Sequence, residues 1–349
     1  MKLYREGTVL SLCRRISFVS CILAALTGAT GAQPPRIRLA TIAPKGTSLD
    51  RLLRTMGEQW SKAPEGGVSL VVYTDGTMGS EHQIVQRMRV GQLQAGLLTA
   101  DGLAAIDPSV KALQQIPLMY RSSAEEDYVR SHMVANIEQR MEERGFVMIS
   151  WGTVGFARFF SKQPALLPQD ILRMKMAVSA DDAEENQLLN SIGGHPVGLD
   201  WTNTLTALQT GMVDSVATLP VHALGAQFNT AVSHMLDLKW VPVTGGIVVT
   251  KKSWDALPTS TRAAMKQAAE AAGAGMESAG ASEESAAIAA MQSRGLQVQP
   301  VTPQMRREWE QFAKDVLWPK MRGTVVPADD FDEVQRLVLE YRNQAGGGQ

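Results

Sequence analysis

Short hydrophobic runs alternate with segments of helical spacing along the first half of the chain. Extended runs, typical of buried strands, lie at residues 36–42, 68–74, 95–100 and 146–151. Apolar residues recur at helical spacing in residues 49–60, 81–92 and 123–144. Capping signals at Thr47 and Ser123 mark the start of the first and third of these helices. This βαβα order predicts a mostly parallel sheet covered by helices on both faces.

The second half of the chain shows a similar alternation. Strands are predicted at residues 157–161, 174–178 and 213–218, and helices at residues 182–193, 201–210 and 220–232. Residues 239–251 form a long extended run, which we expect to carry the chain back to the first unit. Residues 259–294 are rich in Ala and contain no Pro. As one helix they would span about 50 Å, enough to lie across both units.

The joint at residues 207–214 is the most informative local pattern. Leu205 and Leu208 stand at helical spacing, and Gly211 tolerates the left-handed backbone that commonly ends a helix. Met212 and Val213 then open an extended run. A helix-to-strand joint of this kind lies at the edge of an α/β sheet, where ligands bind.

These elements predict an α/β fold of two domains, with a hinge of crossing strands and a long helix that spans both. Domain I comprises residues 33–150 plus 245–280, and domain II comprises residues 151–244 plus 281–344. The Gly-rich residues 345–349 are predicted to be a disordered tail. Two units joined by more than one strand are typical of a clamp that holds its ligand in between.

Residues 1–32 have the pattern of a cleaved signal peptide. Basic residues precede a short apolar core at 16–26, and small residues stand before Gln33. We therefore expect export and a periplasmic location. Both cysteines, Cys13 and Cys21, lie in this leader, so the mature chain has no disulfide. Lipidation of Cys21 is the disfavoured alternative, because the apolar run continues beyond it.

Charge and motifs argue against two large classes of protein. The formal net charge of −1 gives no basic face for nucleic acid. The chain lacks the usual motifs of hydrolases, zinc proteases and nucleotide-binding enzymes, and its five histidines show no metal-ligand spacing. Asp181 and Asp182 are better explained as stabilising a helix N-terminus than as catalytic carboxylates. We expect no enzyme activity, no cofactor and no metal.

Several segments, taken in order, resemble the substrate-binding subunit of tripartite ATP-independent periplasmic (TRAP) transporters of the DctP type. The segments are residues 76–81 (GTMGSE), 91–93 (GQL), 116–119 (IPLM), 194–197 (GHPV), 207–214 (ALQTGMVD) and 254–258 (WDALP). The resemblance implies a two-domain periplasmic binding protein, class II-like, that closes around a small molecule. It also implies membrane permease subunits as partners and, for members lacking the usual arginine, a helical-repeat periplasmic partner.

The chain departs from this family at the residues that bind organic acids. Most members hold the acid with an arginine in a Lys-x-Arg-Val pattern, and Ala177 stands there in Lys175-Met176-Ala177-Val178. A second arginine of some members falls on Ala157. A buried carboxylate is costly unless paired, and arginine pairs it best. Arg158 and Lys175 are the remaining candidates for such a pair.

The residues expected around the ligand come from both domains. They are Ile42, Ala43, Ser80, Leu98, Thr99, Phe156, Ala157, Arg158, Met176, Ala177, Trp201, Thr218 and Leu219. Trp201 is the favoured aromatic contact. The resulting hypothesis is a receptor for a neutral or hydrophobic ligand rather than a dicarboxylate. The alternatives are an organic-acid receptor that uses Arg158 or Lys175, and a ligand sensor that is not coupled to transport.

Overall fold

Two β-sheets flanked by helices form the frame of the computed structural model, which describes residues 34–346. The strands are β1 (Arg36–Ala40), β2 (Ser69–Tyr73), β3 (Ala95–Thr99), β4 (Phe146–Phe156), β5 (Arg158–Ser161), β6 (Lys175–Ser179), β7 (His195–Leu199), β8 (Ser215–Thr218), β9 (His234–Leu236), β10 (Pro242–Thr250) and β11 (Gln297–Gln299). The first sheet has the order β2-β1-β3-β10-β4, and the second has the order β11-β9-β5-β8-β6-β7. Each sheet with its helices is called a lobe below.

Helices cover both sheets. The α-helices are α1 (Ser48–Ser61), α2 (Glu81–Arg89), α3 (Ala100–Ala104), α4 (Ser123–Glu143), α5 (Pro168–Leu172), α6 (Ala183–Ser191), α7 (Thr204–Thr210), α8 (Pro220–Gly225), α9 (Lys251–Asp255), α10 (Thr259–Gln292), α11 (Pro303–Phe312), α12 (Trp318–Met321) and α13 (Ala328–Gly346). Short 3₁₀ turns occupy Pro108–Leu113, Trp201–Asn203 and Phe228–Thr230, and one π-helical turn occupies Ala313–Leu317. The two-domain α/β fold predicted from the sequence is confirmed.

Each sheet is mixed rather than mostly parallel. β1 pairs in parallel with β2 and β3, but β10 is antiparallel to both of its neighbours. In the second sheet, β5 is antiparallel to β8 and β9. The chain crosses from the first sheet to the second after β4 and returns along β10. Each crossing brings a strand, β5 or β10, into its sheet in the direction opposite to that of its neighbours.

The two crossing segments are hydrogen-bonded to each other. The chain leaves the first sheet after Phe156 and returns before Pro242. Between these points the N–H of Ala157 donates to the carbonyl of Val241 at 2.9 Å, and the N–H of Trp240 donates to the carbonyl of Ala157 at 3.0 Å. These paired segments are the hinge between the lobes, and Ala157 lies at its centre.

Helix α10 contacts the cores of both lobes. Met265, near its start, accepts a hydrogen bond from Trp60 Nε1 at 3.1 Å in the first lobe. Met291, near its end, is buried in the second lobe's core with Phe228. The middle of the helix passes so close to β4 that a Cβ at position 273 would lie 2.5 Å from the carbonyl oxygen of Trp151. Gly273 therefore permits the contact between the helix and the crossing strand.

Local signals explain where the helices begin and end. The side chains of Thr47, Ser80, Ser122 and Asp182 each accept a backbone N–H at a helix start. Gly211 ends α7 with φ of 76°, which confirms the predicted left-handed joint before β8. The predicted helix at residues 220–232 is instead the short α8 followed by a 3₁₀ turn.

The C-terminal helices were not predicted. Helix α13 buries Phe331, Val334 and Leu337 in the first lobe's core, although residues 281–344 were assigned to domain II. An amphipathic helix does not specify in its own sequence which lobe it covers. The helix extends through Gly346 into the predicted tail, and the rest of that tail and the predicted leader lie outside the described residues. Within residues 34–346, no helix is both long and apolar enough to cross a bilayer.

Candidate ligand-binding site

A cavity of about 300 Å³ lies between the lobes, against the hinge. This volume is at the lower end of the range for small-molecule sites, which are mostly apolar with a few placed polar groups. Both sheets and the middle of α10, at Gly273 and Met276, contribute to its wall. The site is therefore formed only where the two lobes face each other.

Most of the predicted site residues line this cavity. They are Ile42, Ala43, Leu98 and Thr99 from the first lobe, and Ala157, Met176, Ala177, Trp201, Thr218 and Leu219 from the hinge and the second lobe. Ser80, Phe156 and Arg158 do not line it. Their direct contact with a ligand stays a prediction that the geometry of the cavity does not support.

The side chain of Arg158 faces away from the cavity, and its guanidinium donates hydrogen bonds to three acceptors. Its Nε donates to Asp237 at 3.0 Å, its Nη2 to Glu284 at 2.8 Å, and its Nη1 to the carbonyl of Phe156 at 3.0 Å. The side chain is only 3% exposed. The adjacent residue, Ala157, points into the cavity, because neighbouring side chains on an extended strand face opposite ways. Arg158 is thus part of the packing beneath the hinge.

The other two residues outside the cavity have clear structural contacts. Phe156 is buried in the first lobe's core, with the ammonium of Lys239 5.3 Å from its ring centre. Ser80 caps α2 and its hydroxyl donates to Asp181 across the mouth of the cleft at 2.5 Å.

Lys175, the second candidate for an acid partner, does not line the cavity. Its ammonium donates to the carbonyl of Gly211 and lies 3.9 Å from Asp214. It therefore stabilises the joint between α7 and β8. Among the described residues, no Lys or Arg lines the cavity at all.

Trp201, the aromatic residue favoured from the sequence as a ligand contact, forms an aromatic wall of the cavity together with His222. The indole meets the ring of His222 edge-on, with ring centres 5.9 Å apart. Burial lowers the pKa of His222 to about 4, so this imidazole is neutral at pH 7. Its Nδ1 lies 3.0 Å from the hydroxyl of Thr218. The wall thus offers apolar surface and neutral hydrogen-bonding groups.

Within residues 34–346, four carboxyl groups line the cavity. They are Glu81, Asp101, Glu185 and Glu283. Glu81 accepts hydrogen bonds from the backbone N–H groups of Thr99 at 2.8 Å and Gly102 at 3.2 Å. Burial nevertheless raises its pKa to about 7.

The carboxyls of Glu185 and Asp101 also resist ionisation. Burial, assisted by the nearby charges of Asp182 and Asp101, raises the pKa of Glu185 to about 8. Burial and the charge of Asp182 raise the pKa of Asp101. A cavity wall of this kind disfavours an anionic ligand, because no Lys or Arg among the described residues lines it and any ionised carboxyl would repel the added charge.

A set of polar contacts, called the clasp below, joins the lobes beside the cavity. Lys111 of the first lobe donates to both carboxylate oxygens of Asp182 in the second, at 3.2 and 3.1 Å. Gln115 donates to the same carboxylate at 3.0 Å. Burial of Asp182 acts in the opposite direction, but the ammonium of Lys111 holds the pKa of Asp182 below its usual value. The lobes are therefore held together by a buried ion pair.

Sequence reasoning missed most of the polar lining. Glu81 and Asp101 were hidden because a carboxylate in the first turn of a helix has an ordinary structural explanation. Trp309 and Phe312 also line the cavity, from a C-terminal region where no element was predicted. The available signal there was the cap at Thr302 followed by Pro303. No cluster of His, Cys, Asp and Glu suited to a metal ion occurs within residues 34–346.

Comparison with known proteins identifies a matching family. The profile described as "Bacterial extracellular solute-binding protein, family 7" (DctP) matches residues 39–322. The C4-dicarboxylate-binding periplasmic protein DctP of Rhodobacter capsulatus is 23% identical over 313 residues, covering 84% of this chain and 92% of the relative. The protein of the same name from Shewanella loihica is 21% identical over 310 residues, with coverages of 87% and 91%.

Solved structures share the fold at lower identity. A TRAP periplasmic solute-binding protein from Shewanella oneidensis with bound succinate has a TM-score of 0.80 at 17% identity, covering 87% of this chain and 99% of the other. One from Desulfovibrio salexigens with bound orotic acid has a TM-score of 0.79 at 16% identity, with coverages of 88% and 99%. One from Roseobacter denitrificans with bound L-galactonate has a TM-score of 0.79 at 20% identity, with the same coverages.

Proposed function

Because the chain belongs to family 7 of the bacterial extracellular solute-binding proteins, the TRAP receptors of the DctP type, we propose that it captures its ligand in the cavity between the lobes. Such receptors are periplasmic and deliver a small molecule to membrane permease subunits of the transporter. The cavity supports this role, since closing the hinge would enclose a molecule against both sheets.

The ligand is neutral or largely hydrophobic rather than a dicarboxylate. The observation that carries this proposal is the lining itself, in which alanines stand at 157 and 177 and no Lys or Arg appears among the described residues. Moving a carboxylate from water into such a cavity costs several kcal/mol, and a paired cation normally offsets this cost. Trp201 and Met176 instead offer apolar contact.

The alternative, an organic-acid receptor, has independent support from the relatives. The relatives from Rhodobacter capsulatus and Shewanella loihica are named as C4-dicarboxylate-binding proteins, and the three solved structures described above hold succinate, orotic acid and L-galactonate. Identities of 16–23% leave room for a change of ligand at two arginine positions. Neither Arg158 nor Lys175 lines the cavity, so an acid would have to be held by other groups.

Calorimetric titration of the mature protein distinguishes these two ligand classes. We expect succinate, glucuronate and galactonate to bind at least about tenfold more weakly than neutral compounds with an apolar body. Ala177→Arg is expected to strengthen succinate binding by about tenfold or more, and Ala177→Leu is the control for added bulk without charge. Tight binding of succinate by the unmodified protein would contradict the proposal.

Cleavage of the signal peptide, coupling to transport and a helical-repeat partner are predictions that separate experiments test. Cleavage after residue 32 is checked by N-terminal sequencing of the exported protein. A ligand sensor and a transport receptor are distinguished by deleting the permease genes, which abolishes uptake only for the receptor. A helical-repeat partner is tested by co-purification with the protein from periplasmic extract.

A further inference from the structure

One end of the cavity presents hydrogen-bond acceptors that have no donors. Gln115 directs its Nε2 to Asp101 at 2.5 Å and to Asp182 at 3.0 Å. Its Oε1 is buried and receives no hydrogen bond. The carboxyl of Glu185 lines the same cavity, and no donor among the described residues reaches it. Because the carboxyl of Glu185 faces the cavity without a hydrogen-bond donor, this end of the cavity favours a ligand that supplies N–H groups.

Lys111, the basic side chain at this end of the cavity, is already paired with acidic side chains. Lys111 donates to both oxygens of Asp182 and lies 3.5 Å from Glu184. It belongs to the clasp and does not line the cavity. Its charge acts on Glu185 and Asp101 from a distance and favours their ionised forms. No Lys or Arg among the described residues donates a hydrogen bond to either carboxyl.

We propose that the ligand carries a basic amino group on its apolar body, and that this group donates a hydrogen bond to the carboxyl of Glu185. The inference rests on the proposed function, because it assumes that the cavity is the ligand site. It deepens that proposal by placing one charged group on the largely hydrophobic ligand, and the ionised carboxyl of Glu185 would neutralise this charge in the complex. The apolar body would lie toward the aromatic wall at Trp201 and His222, where a cation is also tolerated by the ring faces.

The protonation of the site gives this proposal a definite pH dependence. Glu185 is faced by Asp101, Asp182 and Lys111, and the exposed Glu184 precedes it on α6. Its raised pKa of about 8 means that much of the free protein carries a protonated carboxyl at neutral pH. An ammonium binds the ionised form, so its affinity rises as the pH approaches that pKa. A neutral ligand gains nothing from the ionisation.

Three compounds with one apolar body test the proposal directly: phenylbutylamine, phenylbutanol and phenylbutyrate. Titration calorimetry of the full mature chain, dialysed free of small molecules, should show the amine binding about tenfold more tightly than the alcohol. The amine's affinity should also rise by about tenfold or more between about pH 6 and about pH 8, while that of the alcohol stays constant. The pH comparison uses the unmodified protein and requires no variant.

Replacing Glu185 tests whether its carboxyl causes the higher affinity for the amine. Glu185→Gln keeps the shape of the side chain and is expected to bring the amine's affinity down to that of the alcohol. Glu143→Gln, an exposed site on α4, is the matched control and should leave both affinities unchanged.

The outcomes separate the two proposals. If phenylbutylamine binds no better than phenylbutanol, including the case in which neither binds, the amino group is refuted. If the alcohol alone binds well, the neutral ligand of the proposed function stands. If phenylbutyrate binds more tightly than both, the neutral ligand is refuted as well.

Discussion

Two small residues determine the chemistry of the cavity. The resemblance aligns Ala157 and Ala177 with the family's acid-binding arginines, and both alanines line the space between the lobes. The sequence alone predicted this loss of charge, because both positions lie in segments whose register is fixed by neighbouring motifs. It did not predict that Glu185 and Asp101 would line the cavity, because their approach depends on how the lobes face each other.

The buried carboxyl of Glu126 predicts a pH dependence of the protein's stability. Glu126 is fully buried in α4, and its carboxylate accepts hydrogen bonds from Thr153 of β4 at 2.5 Å and Thr244 of β10 at 3.1 Å. Burial raises its pKa to about 7, against the opposing effect of Arg130. Folding therefore favours the protonated form. Its stabilising contribution is complete below the ordinary glutamate pKa and is lost as the pH rises through about 7.

We expect Glu126→Gln to be more stable than the unmodified protein at about pH 8, by roughly 1–3 kcal/mol, and to show a flatter pH dependence. Chemical denaturation at a series of pH values measures this difference. The exposed Glu143→Gln is the control for loss of one charge. If the free energy of unfolding depends on pH equally in the unmodified protein and in Glu126→Gln, the carboxyl of Glu126 does not cause that dependence.

At the scale of elements, periodicity predicted the long helices α4 and α10 and most strands, but it did not predict the 19-residue α13. Helix α10 was predicted within two residues, because an unbroken run without Pro allows little else. The strands β7, β9 and β11 were missed, since runs of 3–5 residues carry too little pattern to be distinguished from loops. The full length of β4 was also missed, because its continuation toward Phe156 is stabilised by pairing with the returning β10.

Gly273 tests the close packing of α10 on β4. Helix propensity alone predicts that Gly273→Ala would stabilise the protein by about 1 kcal/mol. The structure predicts the opposite sign, a loss of roughly 1–3 kcal/mol, because the new Cβ would lie 2.5 Å from the backbone oxygen of Trp151. Thermal or chemical unfolding decides between them. A stabilised Gly273→Ala variant would mean that the helix does not approach the strand this closely.

At the scale of the whole molecule, the clasp connects ligand capture to closure. Lys111, Gln115 and Asp182 join the lobes on one side of the cavity, and the hinge at Ala157 joins them on another. Opening the cleft would break the buried ion pair and expose both charges to water. The clasp therefore favours the closed arrangement without deciding which ligand fills it.

Replacing Lys111 tests this role of the clasp. Lys111→Met removes the ion pair with Asp182, so we expect a more open unliganded protein with a larger radius of gyration. Ligand affinity should fall by about tenfold, since closure then has less support. Small-angle X-ray scattering and calorimetry measure the two effects, with the exposed Lys252→Met as control. Unchanged scattering and affinity in Lys111→Met would show that closure does not depend on the clasp.

We propose that this receptor, unlike relatives that bind organic acids, recognises a ligand that has no carboxylate. Native mass spectrometry of the protein isolated from the periplasm of its own host tests this most directly, followed by identification of the released small molecule. We expect a compound with an apolar body, a basic amino group and no acid group. Release of succinate, a sugar acid or another carboxylate would contradict it.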